Sequence, residues 1–495
     1  MSHRRISLAS LSLIALAACS PPVNNNPDAA QDAATGADSR ADASSTPDST
    51  AVEDGSSGSD AAMGADGSDG GAVIPTMPVN LNLSTMGHDR LFGLAFNTDG
   101  SFFAVGTLSD STEATADFRT LLVKFTATGQ IDRSWGTNGF VTRNLVVGTN
   151  GEVARGIVVQ PSGKIVVGAT VEAPGAMDAR DRNVALARFN ADGTQDNSFG
   201  TMGVVTLDLS DGAVNGTSYV ADGMWSLSQY SDGRIVVSAT QRRMGALDSD
   251  FAVVRLSVDG QRDMAFGTNG VFSLDIDNRS ADIRTSTVLP SGNIVAAGYY
   301  ADAMSVTHPV LFELTSAGAL NPSFGTNGVY NEVVLNAATE AYAAAPQGTS
   351  FVTAGYGRNS TMENLDWISL RITGNGTRDR SYGMDGVARF DFMGFNDNAR
   401  SLVVLPDERV LIIGGSRTSD SNSDATLAML TRNGALDTSF GTQGKLRFDL
   451  GGGSDFFWGV ALNPAASHVA LVGVKSVGTT GMGNDDAVVM MLPVR

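Results

Sequence analysis

Seven acidic residues recur at one place in this chain: Asp89, Glu152, Asp222, Asp282, Glu340, Asp397 and Asp455. Each stands four residues ahead of a small residue, namely Gly93, Gly156, Ser226, Ser286, Ala344, Ser401 and Gly459. Two kinds of chemistry suit such a series. Singly, each carboxylate can close a turn by accepting backbone N–H groups. Together, they can form an anionic ring that attracts a cation, Ca2+ or another, through hard oxygen ligands. Like charges gathered that closely repel, so some pKa values rise or a cation sits nearby. The ring is the expected binding site, and no other cofactor is implied.

A second series, Asn183, Asp250, His308, Asp366, Asp424 and Asp486, has Arg119 or Asp117 as its counterpart in the first repeat. Turn closure is its expected role, and His308, within His308-Pro309, is expected in a solvated loop. Catalytic motifs are missing. There is no Gly-x-Ser-x-Gly elbow, no His-Glu-x-x-His pair and no P-loop. With four histidines, of which His88, His308 and His468 lie far apart, a Ser-His-Asp arrangement is not expected. The expected function is therefore a non-enzymatic binding or interaction module for a protein, an envelope glycan or a small extracellular ligand. The alternative is a secreted glycosidase or lyase whose carboxylates come from distant repeats. Tyr219, Trp225, Tyr299, Tyr300, Tyr342 and Trp458 near the acids keep that alternative in view.

The elements that position these residues follow from composition and repetition. A chain of 495 residues, 42% of them hydrophobic, can bury a large core, and 57 glycines against 15 prolines point to many turns. A net charge of −19 repels phosphate backbones, so nucleic acid is excluded as a partner. One cysteine, Cys19, rules out a disulfide framework and zinc sites built on cysteine pairs.

The hexapeptide Ser134-Trp135-Gly136-Thr137-Asn138-Gly139 recurs around Phe199, Phe266, Phe324, Tyr382 and Phe440, with spacings of 64, 67, 58, 58 and 58 residues. Three residues ahead of each ring stands Asp132, Asp196, Asp263, Asn321, Asp379 or Asp437. Asp and Asn close turns onto their own backbone, and the rings read as apolar anchors between neighbouring units. Each hexapeptide leads into four short β-branched runs, such as Ile165-Val166-Val167-Gly168, before the next copy. Four short strands per unit of about 60 residues predict an all-β, seven-bladed propeller of four-stranded blades. The run Val79 to Leu83 aligns with the outer strand after a hexapeptide, and the chain stops after a third strand. The N-terminal strand is thus expected to complete the last blade and close the ring, leaving no bare edge. A monomer is expected.

The pattern Leu-Asp-x-Ser-Phe-Gly-x-x-Gly-x-Val, followed by Val-x-x-Pro-x-Gly-Lys-Ile-Val-Val-x-Gly, resembles the delta-60 repeat of bacterial β-propeller proteins. The resemblance spans residues 79–495, is closest from Ala154 to Gly203 and is degenerate from Asn336 to Gly357. It implies the fold and no particular activity.

The N-terminus reads as an address. Arg4 and Arg5 precede an apolar stretch, Ile6 to Ala18, too short to span a bilayer. Leu16-Ala17-Ala18-Cys19 resembles the lipobox of bacterial lipoproteins, which implies cleavage of residues 1–18 and lipidation of Cys19. Ser20, in place of Asp, favours the outer membrane if the source is Gram-negative. Residues 19–78 are rich in Ala, Asp, Ser and Gly without an aromatic, and ten acids face a single Arg40. This composition predicts a disordered, self-repelling spacer that holds the propeller away from the membrane. The face bearing the acids is then expected to point outward and carry the ligand. Replacing Cys19→Ser should leave the chain unlipidated and shift it from the detergent phase to the aqueous phase on partitioning. Unchanged partitioning would contradict the lipobox.

Overall fold

The computed structural model describes residues 77–84, 86–112, 116–146, 151–172, 181–210, 220–242, 248–419, 422–451, 453–477 and 484–494. The leader, Cys19 and Tyr219 lie outside them, as does the acidic segment up to residue 76. Among the described residues every regular element is a β-strand.

The repeat folds as an antiparallel meander. Val153–Val159 turns through Pro161-Ser162-Gly163 into Ile165–Glu172, which pairs with Asp181–Phe189, and this in turn pairs with Val204–Leu207 beyond the hexapeptide. The units that start at Asp89–Phe96, Gly223–Gln229, Ala281–Val288, Asp397–Val404 and Phe456–Leu462 follow the same order. Middle strands such as Ile235–Gln241 and Asp250–Leu256 are buried along their whole length. Their unbroken Val, Ile and Ala runs fit strands covered on both faces. The cover comes from the neighbouring sheets. One apolar cluster joins Phe103, Val105 and Leu122 to Ile165, Val167 and Ala185 of the next sheet, and another joins Val166 and Leu186 to Ile235, Val237 and Val254. The core therefore lies between sheets.

The degenerate unit keeps this plan with a shortened first strand. Ala343–Gln347 pairs with Ser350–Arg358 in the register Gln347↔Ser350, so the turn contracts to Gly348-Thr349.

The first strands pack in sequence. Asp89–Phe96 lies against Val153–Val159, that strand against Gly223–Gln229, and so on through Ala281–Val288, Ala343–Gln347, Asp397–Val404 and Phe456–Leu462. Phe456–Leu462 also lies against Asp89–Phe96. Val79–Asn80 pairs antiparallel with the third strand of the C-terminal unit, Asn484–Pro493, in the register Val79↔Val489, and the Leu81 N–H donates to the Ala487 carbonyl at 2.9 Å.

The hexapeptides join each sheet to the next. Phe199 is fully buried, and its ring sits on the turn that holds Gly260 of the following unit. Trp135 sits likewise on Gly193, Phe266 on Gly318 and Tyr382 on Gly434. Beside three of these rings the next glycine N–H crosses to the neighbour, Gly200 to the Asp259 carbonyl at 3.1 Å, Gly267 to Ala317 at 2.9 Å and Gly383 to Asn433 at 2.8 Å, and Trp135 crosses through its own Nε1–H to the Ala191 carbonyl at 2.8 Å. A charge fixes the loop as well. Arg188 on the third strand meets Asp196 at 2.6 Å and lies 4.8 Å from the centre of the Phe199 ring, and Arg255 and Arg371 repeat this with Asp263 and Asp379. The rings are anchors between units, as expected.

At Gly260 the backbone has φ +82°, and an added Cβ would stand 2.6 Å from Val205 and 2.8 Å from Phe199. Gly260→Val should therefore cost roughly 2–3 kcal/mol in denaturant unfolding. Gly163 has a similar φ of +78° but open space around it. Gly163→Ala should then cost only about 1 kcal/mol. Equal costs would show that the ring seat adds nothing to the turn.

Candidate functional site

The recurring acids stand where each chain segment enters its first strand. The register of those strands sorts them. Asp89, Asp222, Asp397 and Asp455 are fully buried, as is Glu152. Asp89 accepts the N–H groups of Leu83 at 3.0 Å, Ser84 at 2.9 Å and Ala487 at 2.7 Å. Glu152 accepts those of Leu145 at 2.6 Å, Val146 at 3.1 Å and Thr120 at 3.2 Å. Asp222 takes the Leu209 and Ser210 amides, Asp397 that of Phe392 at 2.9 Å, and Asp455 those of Leu450 at 2.8 Å and Ser476 at 3.2 Å. In each case at least one of the amides follows the outer strand of the adjoining unit, while Thr120 and Ala487 lie on third strands of that unit and Ser476 on the second strand of Asp455's own unit. These five carboxylates staple successive sheets.

Asp282 and Glu340 do not occupy the same place. Ala281 pairs with Tyr300 and Asp282 with Tyr299, whereas Asp89 pairs with Leu108 and Asp397 with Ser416. Counted from the bulge that follows, Ala281 therefore holds the staple position and Asp282 comes one residue late. Thr339 holds it in the degenerate unit, where its hydroxyl accepts the Leu335 N–H at 3.1 Å. Asp282 is half-buried and accepts from the Thr240 hydroxyl at 3.2 Å, and Glu340 is buried.

Burial raises the staple carboxyls from the ordinary 3.8, up to about 7 for Asp397 and Asp455 and about 6 for Asp89 and Asp222. The accepted N–H groups act in the opposite direction.

The second series stands at the starts of the third strands. Asp366 pairs with Arg389 at 2.6 Å, Asp424 with Arg447 at 3.2 Å, and Asp486 accepts from Asn80 at 2.7 Å. His308 departs from its expected solvated loop. It is buried in the strand Thr307–Leu314, its Nε2 3.0 Å from Asp302 and its ring 4.8 Å from that of Tyr300. The carboxylates of Asp366, Asp391 and Asp397 lie within 4.8 Å of one another, as do those of Asp424, Asp449 and Asp455 and of Asp248, Asp250 and Asp275.

Sequence reasoning missed the other residues that converge. Each full first strand carries a β-bulge where the register slips by one, just before its small residue except in Ala281–Val288, where Thr285 stands between the bulge and Ser286. A bulge places an extra residue opposite one partner and re-aims its side chain. The bulged residues are Phe92, Arg155, Trp225, Arg284, Arg400 and Trp458, and Tyr342 stands at the corresponding place in the degenerate unit. All of them line one cavity of about 250 Å³ between the first strands. Taken in order, aromatic and arginine alternate. The Arg155 guanidinium lies 4.4 Å from the Trp225 ring centre and 5.7 Å from Phe92. Arg284 lies 3.6 Å from Trp225 and 4.4 Å from Tyr342, and Arg400 lies 4.5 Å from Tyr342 and 4.6 Å from Trp458. Cation–π contacts of this kind are worth about 0.5–2 kcal/mol each, most where water is excluded.

The small residues below the bulges make room for this approach. A Cβ on Gly93 would stand 2.3 Å from the Arg155 carbonyl oxygen, and one on Gly156 would stand 2.6 Å from Leu227. Of the aromatics singled out from the sequence, Trp225, Tyr342 and Trp458 line the cavity, and Tyr299 lies 5.1 Å from Arg284. Tyr300 stands apart, against His308. The signal in the sequence was the residue just before the small one, as in Arg155-Gly156, Arg400-Ser401 and Trp458-Gly459.

Four segments, residues 160–199, 231–266, 289–324 and 405–440, match the family model described as a domain of unknown function (DUF5122) β-propeller. Each match ends at or just past a hexapeptide ring, Phe199, Phe266, Phe324 or Phe440, in agreement with a delta-60-type repeat. No curated protein matches the chain. Among solved structures, a glucose dehydrogenase is similar at 12% identity over 66% of this chain and 93% of its own, with a TM-score of 0.38. The β-propeller domain of the Trilobed protease from Pyrococcus furiosus is similar at 9% identity over 80% and 93%, with a TM-score of 0.40. The NanB sialidase from Streptococcus pneumoniae is similar at 10% identity over 85% and 70%, with a TM-score of 0.40.

The raised carboxyls give stability a definite pH dependence. A folded state that holds protons up to about pH 6–7 is favoured most below the ordinary carboxyl range and loses that advantage as the pH climbs through 6 and 7. Thermal unfolding should therefore occur at a higher temperature near about pH 5 than near about pH 8, and Asp397→Asn should flatten the difference. A midpoint that rises over this range would contradict the burial of these groups.

Proposed function

We propose that this chain is a lipid-anchored, non-enzymatic binding module: a seven-bladed β-propeller, closed into a ring by its N-terminal strand and held off a cell envelope by Cys19 and the acidic segment. Closure is supported by the pairing of Val79–Asn80 with Asn484–Pro493 and by the contact of Phe456–Leu462 with Asp89–Phe96. The anchor rests on the lipobox resemblance, and the outer membrane remains the assignment if the source is Gram-negative.

One observation carries the choice of binding over cleavage. The described residues that line the axial cavity include three arginines and four aromatics but no carboxylate, histidine or cysteine. Hydrolysis of a glycosidic bond canonically uses two carboxyl groups flanking that bond, roughly 5–10 Å apart. Five of the candidate acids instead have buried oxygens held by backbone N–H groups of the preceding unit. A cavity with guanidinium and aromatic walls recognises a ligand and has nothing with which to move a proton at neutral pH.

The full chain should be incubated with a panel of envelope glycans, reading retention and release of reducing ends in the same samples. Retention without release is the expected result. Release that disappears on Glu340→Gln or Asp282→Asn would replace this reading with the carbohydrate-active enzyme.

A further inference from the structure

We infer that the loop methionines Met86, Met202, Met264, Met304, Met362 and Met384 form a sacrificial surface. They take up two-electron oxidants, peroxides or hypochlorous acid, as methionine sulfoxide before the oxidant reaches the rest of the chain. The inference goes beyond the binding-module reading and does not depend on it. These six side chains are between 62% and 95% exposed. Among the described residues, the large apolar side chains that are exposed are methionines apart from Val79, Val333 and Phe395, and no leucine or isoleucine is among them. Methionine is ordinarily one of the more buried residue types. Leucine offers a similar apolar surface without sulfur, and this chain keeps its described leucines covered. What methionine adds at an exposed site is a thioether, polarisable and open to oxidation.

Local structure does not call for methionine at these positions. Met202 has φ +50° in its hexapeptide, where Asn138, Asn269 and Asn327 have φ of +53° to +54°, and asparagine suits that left-handed backbone better. Met384 stands in the place of Thr137, Thr268 and Thr326, and Met264 in that of Asn197 and Thr438. Nor do the six form one patch. Met202, Met264 and Met384 lie in or beside the hexapeptides, whereas Met86, Met304 and Met362 lie in loops at the opposite end of the strands. A docking face would gather them. A sink for a diffusing oxidant needs only that each sulfur meets solvent. With a peroxide, the sulfur lone pair attacks one oxygen, the S–O bond forms and the O–O bond breaks. Sulfur gives up two electrons, and the other oxygen leaves as hydroxide, which a proton converts to water. With hypochlorous acid the net oxygen transfer is the same, and chloride and a proton are released. An exposed sulfoxide is solvated and disturbs nothing. On Met224, Met429 or Met490, all buried in apolar clusters, it would set a polar group among apolar neighbours. Those three sulfurs are the internal control.

The test treats the full chain with hydrogen peroxide and, separately, with hypochlorous acid, and maps sulfoxides by peptide mass spectrometry. The six loop methionines should oxidise first, and Met224, Met429 and Met490 at least about tenfold more slowly, as groups reached only when the fold opens do. The unfolding midpoint should not move, and methionine sulfoxide reductases should return the six to the thioether. A midpoint that falls as the six oxidise would make these sulfurs structural and overturn the sink. Shielding is read in a variant that carries Met202→Asn, Met264→Asn and Met384→Thr, the residues other units hold at those places, with Met86→Leu, Met304→Leu and Met362→Leu. Titrated with hypochlorous acid, this variant should lose tryptophan fluorescence and oxidise its buried methionines at a lower dose than the unaltered chain. Equal loss in both would overturn the inference. If the variant fails to fold, the unaltered chain decides: fluorescence held until the six are oxidised supports the sink, and loss from the first equivalents overturns it. Loss of glycan retention on mild oxidation, with folding intact, would make the six contact residues and overturn the sink while leaving the binding module in place.

Discussion

An aromatic ring that bridges its own sheet and the turn of the neighbouring one is the contact on which the rest of this structure depends. Phe199 packs with Val184 and Leu186 of its own meander and also lies on the glycine turn of the unit that follows; Trp135, Phe266 and Tyr382 lie on the corresponding turns. Removing such a ring costs roughly 3–5 kcal/mol where the site cannot collapse. The middle strands impose the same dependence, since they are buried on both faces and one face is always covered by another sheet. A unit of this kind is incomplete alone, which is the behaviour of repeat architectures. The hexapeptide loops supply the outer link, the buried carboxylates a second, and the close approach of the first strands a third.

That approach is what creates a site. Strands that come within van der Waals distance at Gly93 and Gly156 leave no room for ordinary alternation, and the bulge resolves the conflict by turning one side chain toward the cavity between them. Alternation of aromatic and arginine then follows a packing logic. Adjacent arginines would repel, whereas a guanidinium between two rings does not, and where Trp458 meets Phe92 the two rings pack edge to face at 5.3 Å. A scaffold device thus gathers three arginines and four aromatics around one cavity.

The strand plan, the hexapeptide anchors and the unit boundaries were legible in the sequence because they rest on local signals: β-branched runs, Asp-led turns and glycines at fixed spacing. The acids were legible as a series, and acceptance of backbone N–H groups was one of the two roles open to them; what was not legible is that the amides of Leu83, Leu145 and Leu450 lie on the adjoining unit, which only the fold brings near. Two members were misplaced by one residue. Asp282 and Glu340 satisfy a spacing count but not the register, which Ala281 and Thr339 satisfy instead. His308 read as a loop residue from the proline beside it, whereas the strand runs through Pro309, paired with Tyr299. The cavity-lining arginines went unnoticed because a bulge has no side-chain signature of its own, and Arg155, Arg284 and Arg400 belong to no motif. Cys19 and the acidic segment rest on composition and motif alone.

Amide hydrogen exchange tests the central claim, that neighbouring sheets hold one another in place, more directly than any substitution. The decisive amides cross between units: Gly200, Gly267 and Gly383 at the hexapeptides, and Leu145 and Leu450 at the buried carboxylates. If the units are mutually dependent, these amides exchange only through global unfolding, with the same protection as Val166 and Val237 in the sheet interiors. Exchange at the rate of an exposed turn, while Val166 and Val237 stay protected, would mean that each sheet stands without its neighbours and would contradict the account.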